Sequence, residues 1–192
     1  MTALTEIAPV VVLAPTAPGD WRALGEQFAD AAGVADRYGE SRDDYEALVA
    51  EINDEFAELF ADTTFAALCT VCGVYEGAVT REFASSYVSN LFDDLDATFA
   101  GEAADGSHAE EVSLELLGEA FGDADVIVYG VQADGSPEPG MEELFDSPLW
   151  QTLPAVQAGR VIEVRHHSAA TYTTAILALE SIRSQLADFA SN

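Results

Sequence analysis

Three short apolar runs constrain this chain most: Thr64–Cys72 (TFAALCTVC), Asp125–Val131 (DVIVYGV) and Arg160–Val164 (RVIEV). Runs of this length that are apolar throughout read as strands buried on both faces. Between them lie stretches with helical spacing. The pattern predicts helices over Phe83–Phe99, over Ser113–Phe121 with Ser113 as the cap, and over Glu142–Leu153. A closing helix is predicted over Ala169–Phe189, with Tyr172, Ile176, Leu179, Ile182, Leu186 and Phe189 on one face. Gly101–Ala109 reads as a polar loop. Strands alternating with helices imply an α/β fold, a parallel sheet covered on both faces.

Upstream of residue 63 the pattern differs. Val10–Leu13, between prolines, reads as a short buried strand. Pro18-Gly19-Asp20 stops it and offers Asp20 as a helix N-cap. A helix carrying Trp21, Leu24 and Phe28 on one face follows and ends near Gly33. A longer one is expected from about Arg42 to Phe60, with Tyr45, Leu48, Val49, Ile52, Phe56, Leu59 and Phe60 at helical spacing. The expected boundary lies at residues 61–63, giving units 1–62 and 63–192.

Charge narrows the partners. The 192 residues hold 35 acids against 7 basic residues, all arginine, for a net charge of −28. Such a chain repels phosphate backbones and anionic head groups, so nucleic acid and electrostatic membrane binding are not expected. The acids are dispersed and lysine is absent, a surface suited to concentrated salt, where the Debye length falls to about 3 Å at 1 M. With 49% hydrophobic residues the chain can still bury a core. No apolar run reaches the length of a membrane span, and the first residues do not read as a signal peptide.

Few residues point to chemistry. Cys69 and Cys72 form C-x-x-C, but side chains three apart on a strand face opposite ways, so the sulfurs converge only if the strand breaks. They read as ordinary buried cysteines. Arg81, His108, Arg165, His166 and His167 all fall in expected loops. Loops beyond the carboxyl ends of parallel strands build ligand sites. Scarce cationic groups gathered there suggest a pocket for an anionic ligand, or else pairing with neighbouring acids. No nucleophile elbow, zinc-protease helix, dinucleotide fingerprint or P-loop is present, and no enzymatic activity is expected.

Val112-Ser113-Leu114-Glu115-Leu116-Leu117, the DVIVYGV strand, Ser147-Pro148-Leu149-Trp150 through Gly159-Arg160-Val161 and a terminal amphipathic helix follow in order. As a set they resemble substrate-binding proteins of ABC importers for ferric siderophores, haem and cobalamin. The resemblance implies the end of an N-terminal lobe and a rigid interlobe helix over 1–62, and a C-terminal α/β lobe of a two-lobed periplasmic-binding-protein fold over 63–192. It implies an extracytoplasmic protein, anchored by a lipid outside this chain, that delivers an iron chelate to a permease and needs no resident cofactor. Residue by residue, Glu115 matches the permease-docking glutamate. Tyr75 and Arg81 match a cleft loop, His108 lies in a second, and Arg165, His166, His167 and Tyr172 match a third ligand-facing segment. Haem is the nearest variant ligand. From another class, a soluble α/β metal or redox enzyme would use Cys69, Cys72 and His166 or His167.

Overall fold

The computed structural model describes residue 7 and residues 9–72, 77–103 and 106–190. Six strands form one sheet: β1 Thr64–Cys69, β2 Ala78–Glu82, β3 Thr98–Phe99, β4 Ala109–Ser113, β5 Val126–Val131 and β6 Val161–Arg165. Their order is β4-β2-β1-β5-β6, with β3 beside the start of β1. β1, β5 and β6 run parallel, as does β3 with β1, while β2 and β4 add an antiparallel edge. The three expected strands are present, and β5 is buried at every position.

The antiparallel edge departs from expectation. Arg81 lies on β2 rather than in a loop, and β4 takes the end of the expected polar loop. Both strands are five residues long, and β4 has a single buried position. An edge strand with Glu110 half-buried against Arg81 and Glu111 exposed gives no apolar run to read.

Among the described residues eight α-helices follow in chain order: α1 Trp21–Ala31, α2 Ala35–Glu55, α3 Ala57–Asp62, α4 Ser89–Asp93, α5 Leu117–Phe121, α6 Met141–Asp146, α7 Pro154–Gln157 and α8 Tyr172–Ala190. The expected Phe83–Phe99 helix shrinks to α4, because Ser85 (φ 66°) and Asp96 (φ 52°) adopt left-handed backbone that no helix carries. The expected Glu142–Leu153 helix divides at Pro148, which cannot continue α6. The expected Ser113–Phe121 helix opens as a 3-10 turn, Leu114–Leu116, before α5. Asp20 closes a turn backwards instead of capping α1. Its carboxylate accepts the Thr16 amide at 2.6 Å, the Thr16 hydroxyl at 2.7 Å and the Ala17 amide at 3.1 Å.

Alternation along the strands builds two cores. Phe65, Ala67, Val126, Val128, Ile162 and Val164 face α1–α4 and α8. Ala66, Leu68, Ile127 and Tyr129 face the opposite layer, with Phe121, Met141, Leu144 and Trp150. In the first core Trp21, Tyr45 and Tyr172 pack edge-on and tilted at 5.0–6.1 Å between ring centroids. Beside them Arg22 joins α1, α2 and α4. It donates to Asn90 Oδ1 at 2.9 Å and Tyr45 Oη at 3.0 Å and pairs with the Asp94 carboxylate, which Tyr45 also donates to. The knot locks α1 and the long α2 onto the sheet unit. Val10–Leu13, expected to be buried, pairs with no strand among the described residues, and Val11 and Val12 are 54% and 58% exposed. No helix among the described residues is long and apolar enough to cross a membrane.

Candidate binding cleft

The turn that starts α1 lies against the loop after β2. Gly19 donates its amide to the Ser85 carbonyl at 2.8 Å, and a Cβ on Gly19 would stand 3.1 Å from Ser85 Cα. Ser85 in turn donates its amide to Asp93 Oδ2 at 2.7 Å, and burial raises the pKa of that carboxyl. Two open cavities flank this junction and share Thr16, Ala17 and His108.

One cavity, of about 540 Å³, is walled by Trp21, Leu24 and Phe28 of α1, by Tyr87, and by Ser168–Ala170 after β6. The other, about 810 Å³, is more polar and includes Asp93, Glu102 and Ser107. The first is the better candidate. It lies against the loop beyond the carboxyl end of a parallel strand and is mainly apolar with a few polar groups, as small-molecule sites usually are. The sequence places Trp21, Leu24 and Phe28 on one helix face, without marking it as a ligand wall. Trp21 is buried while Phe28 is 48% exposed, so the face is shared between core and cavity. Tyr87 was hidden in the expected Phe83–Phe99 helix.

The candidate residues separate. His108 lines both cavities. Arg81 does not: it donates to the Ala100 carbonyl at 2.6 Å, meets Glu110 at 3.5 Å and lies over the rings of Phe83 and Phe121. Arg165 turns away from the cavity, its guanidinium 2.6 Å from where a Cβ on Gly135 would stand. His166 has left-handed backbone at φ 57° and is half-buried. His167 is buried against Gly130 of β5, where any Cβ would overlap its ring, with Nε2 3.5 Å from Glu138 Oε1. Burial pushes its pKa down despite that carboxylate. Tyr172 belongs to the aromatic knot. Tyr75 lies outside the described residues. Glu115 is exposed on the 3-10 turn next to Leu116, which is 51% exposed.

Cys69 and Cys72 are joined as a disulfide, not free buried thiols. β1 ends at Cys69, so the chain turns through Thr70 and Val71 and returns the second sulfur to the first. Among the described residues the acidic or metal-ligating group that converges with them is Glu82, not a histidine. The centre built from both cysteines and His166 or His167 is therefore not assembled.

These features have close counterparts. The family model described as periplasmic binding protein matches residues 2–167. The chain belongs to the periplasmic binding protein family. The fold of this binding protein superposes on the siderophore periplasmic binding protein from the fuscachelin gene cluster of Thermobifida fusca with a TM-score of 0.84 at 30% identity, over 97% of this chain and 67% of that one. It also matches the Fe3+–Desferal-bound siderophore binding protein FhuD from Vibrio cholerae (TM-score 0.73, 19% identity, 96% of this chain and 69% of that one). FhuD2 from Staphylococcus aureus with bound ferrioxamine B matches with TM-score 0.73 at 17% identity, over 98% of this chain and 72% of that one. No curated protein sequence matches the chain. The family is one of binding proteins, extracytoplasmic by its description.

Proposed function

We propose that this chain is the substrate-binding component of an ABC importer, that it captures an iron chelate, and that the 540 Å³ cavity forms one wall of its ligand cleft. The likeness to siderophore-binding proteins, among them the Thermobifida fusca structure, supports the ligand class. One observation refines it: the cavity walls are Trp21, Leu24, Phe28 and Tyr87, with His108 as the one titratable base and no arginine among the described lining residues. Arg81 is engaged elsewhere, and the Arg165 guanidinium lies against Gly135, outside this lining. In a chain of charge −28 this wall suits a chelate that is neutral or positively charged, such as a ferric trihydroxamate, better than an anionic ferric carboxylate or catecholate. Glu115, exposed beside an exposed leucine, would meet an arginine of the permease as a charge-assisted pair.

The test is titration of the protein with ferrioxamine B, ferric citrate and haemin, read by tryptophan fluorescence and visible absorption. Trp21 lines the cavity, so a hydroxamate chelate should quench it, and the Trp21→Phe variant should lose most of the response. Tight binding of ferric citrate with no response to ferrioxamine B would overturn the charge argument. A Soret shift on haemin addition would move the ligand class to haem, with His108 as the cavity's imidazole.

A further inference from the structure

We propose that the Cys69–Cys72 disulfide, with the Glu82 carboxyl beside it, is a thiol–disulfide exchange site that a dithiol reduces in the folded protein.

Four observations carry this. A Glu82 carboxylate oxygen and both sulfurs lie within 4.8 Å of one another. Glu82 is 2% exposed, yet among the described residues no arginine or histidine pairs with it. What faces it is the disulfide from β1, the amides of Val88 and Ser89, which donate to its Oε2 at 2.8 and 3.4 Å, and the neighbouring Ser86 and Tyr87. The adjacent Arg81 is directed to Ala100 and Glu110. The two sulfurs are also unlike: Cys69 is buried and receives the Val71 amide at 3.4 Å, whereas Cys72 is half-buried at the surface. Finally, a bridge between residues three apart closes so short a loop that it constrains the unfolded chain little, which makes it a weak staple. The carboxyl that holds the amides opening α4 is thus also placed against a bridge of small structural value.

The chemistry follows from the asymmetry. A thiolate of the dithiol attacks the accessible Cys72 sulfur and forms a mixed disulfide with it. The Cys69–Cys72 bond breaks, and Cys69 leaves with the electron pair, favoured by the Val71 amide. Glu82 delivers a proton to Cys69, directly or through one water. The reductant's second thiol, as thiolate, then attacks its own sulfur in the mixed disulfide and releases Cys72 as thiolate, which takes a proton from solvent. One dithiol becomes one cyclic disulfide, and the protein gains two thiols. Desolvation raises the Glu82 pKa to about 7, so the carboxyl holds its proton in weakly acidic solution.

Reduction by dithiothreitol, with the thiols counted after alkylation, tests both parts. On the native protein the rate should rise in proportion to dithiothreitol while circular dichroism stays unchanged. A rate that levels off, or that appears only in denaturant, would show a protected structural bridge and end the proposal. The Glu82→Gln variant keeps an acceptor for Val88 and removes the proton, so it should react about tenfold more slowly than wild type near pH 6, the difference vanishing above about pH 8. Equal rates at every pH would remove Glu82 from the site. Should the variant fail to fold, the dithiothreitol dependence of the wild type decides alone.

Discussion

Two apolar runs of this chain meet opposite fates. Val126–Val131 lies between β1 and β6, hydrogen-bonded on both sides, and every residue is buried. Val10–Leu13 has the same β-branched character, yet Val11 and Val12 stand more than half exposed and unpaired among the described residues. Residue type alone does not separate them. An apolar run states that a segment will extend and favours burial, but a strand exists only where a neighbouring edge accepts its backbone groups. The chain spans 67% of the length of the Thermobifida fusca protein it matches.

The comparison can be broken by truncating one residue from each run. Ile127 is fully buried, so Ile127→Ala should cost about 2–5 kcal/mol through lost transfer energy and the cavity left behind. Val11→Ala, which leaves no cavity, should stay within about 0.5 kcal/mol. Urea unfolding at one fixed salt concentration measures both. A loss at Val11 matching that at Ile127 would mean that the leading segment is buried in solution.

A second prediction applies the same contrast to carboxylates. Most acids here are exposed, but Glu82 is buried, and its pKa in the folded state is about 7 against an ordinary 4.5. The unfolded chain therefore releases this proton more readily, and stability falls as pH rises. The loss accumulates between about pH 4.5 and 7 and is complete above that range. At about 1.4 kcal/mol per unit it amounts to roughly 3 kcal/mol. Glu82→Gln should unfold like wild type near pH 4.5, gain on it up to about pH 7, and hold a constant advantage above that. A gap that stays constant with pH would mean that Glu82 titrates normally in the folded protein.

Partnering also explains what the sequence could disclose. The parallel strands were legible because β1 and β5 are buried on both faces and so carry unbroken apolar runs. β2 and β4 were not, since AVTRE and AEEVS carry no apolar run until β1 offers β2 an edge and β2 offers one to β4. The helix expected over Phe83–Phe99 had adequate spacing but fails at Ser85 and Asp96, both left-handed, with the Ser85 amide held by the Asp93 carboxylate. At the cleft, His108 was legible as a scarce base in a loop. Arg81 and Arg165 looked equally available, but Arg81 bonds the Ala100 carbonyl and the Arg165 guanidinium lies against the turn at Gly135. Trp21 and Phe28 were legible as a helix face, though not as one divided between core and cavity.

The smallest expected effect sharpens the comparison at the surface, where partners compete with solvent. Arg183 on α8 reaches across to Glu55 and Glu51 of α2, at 2.7 and 3.1 Å, with all three side chains exposed. Exposed pairs contribute little, and salt screens them. Arg183→Ala should therefore lower the melting temperature slightly in dilute buffer and leave it unchanged in molar KCl. The wild type carries self-repulsion from its net charge of −28, so its own melting temperature should rise over the same series. The two trends have one cause and opposite consequences: salt removes the attraction Arg183 provides and, more strongly, the repulsion the other acids impose. A deficit in the variant that persists in molar KCl would locate the contribution of Arg183 in the packing of its stem between α2 and α8, not in its charge.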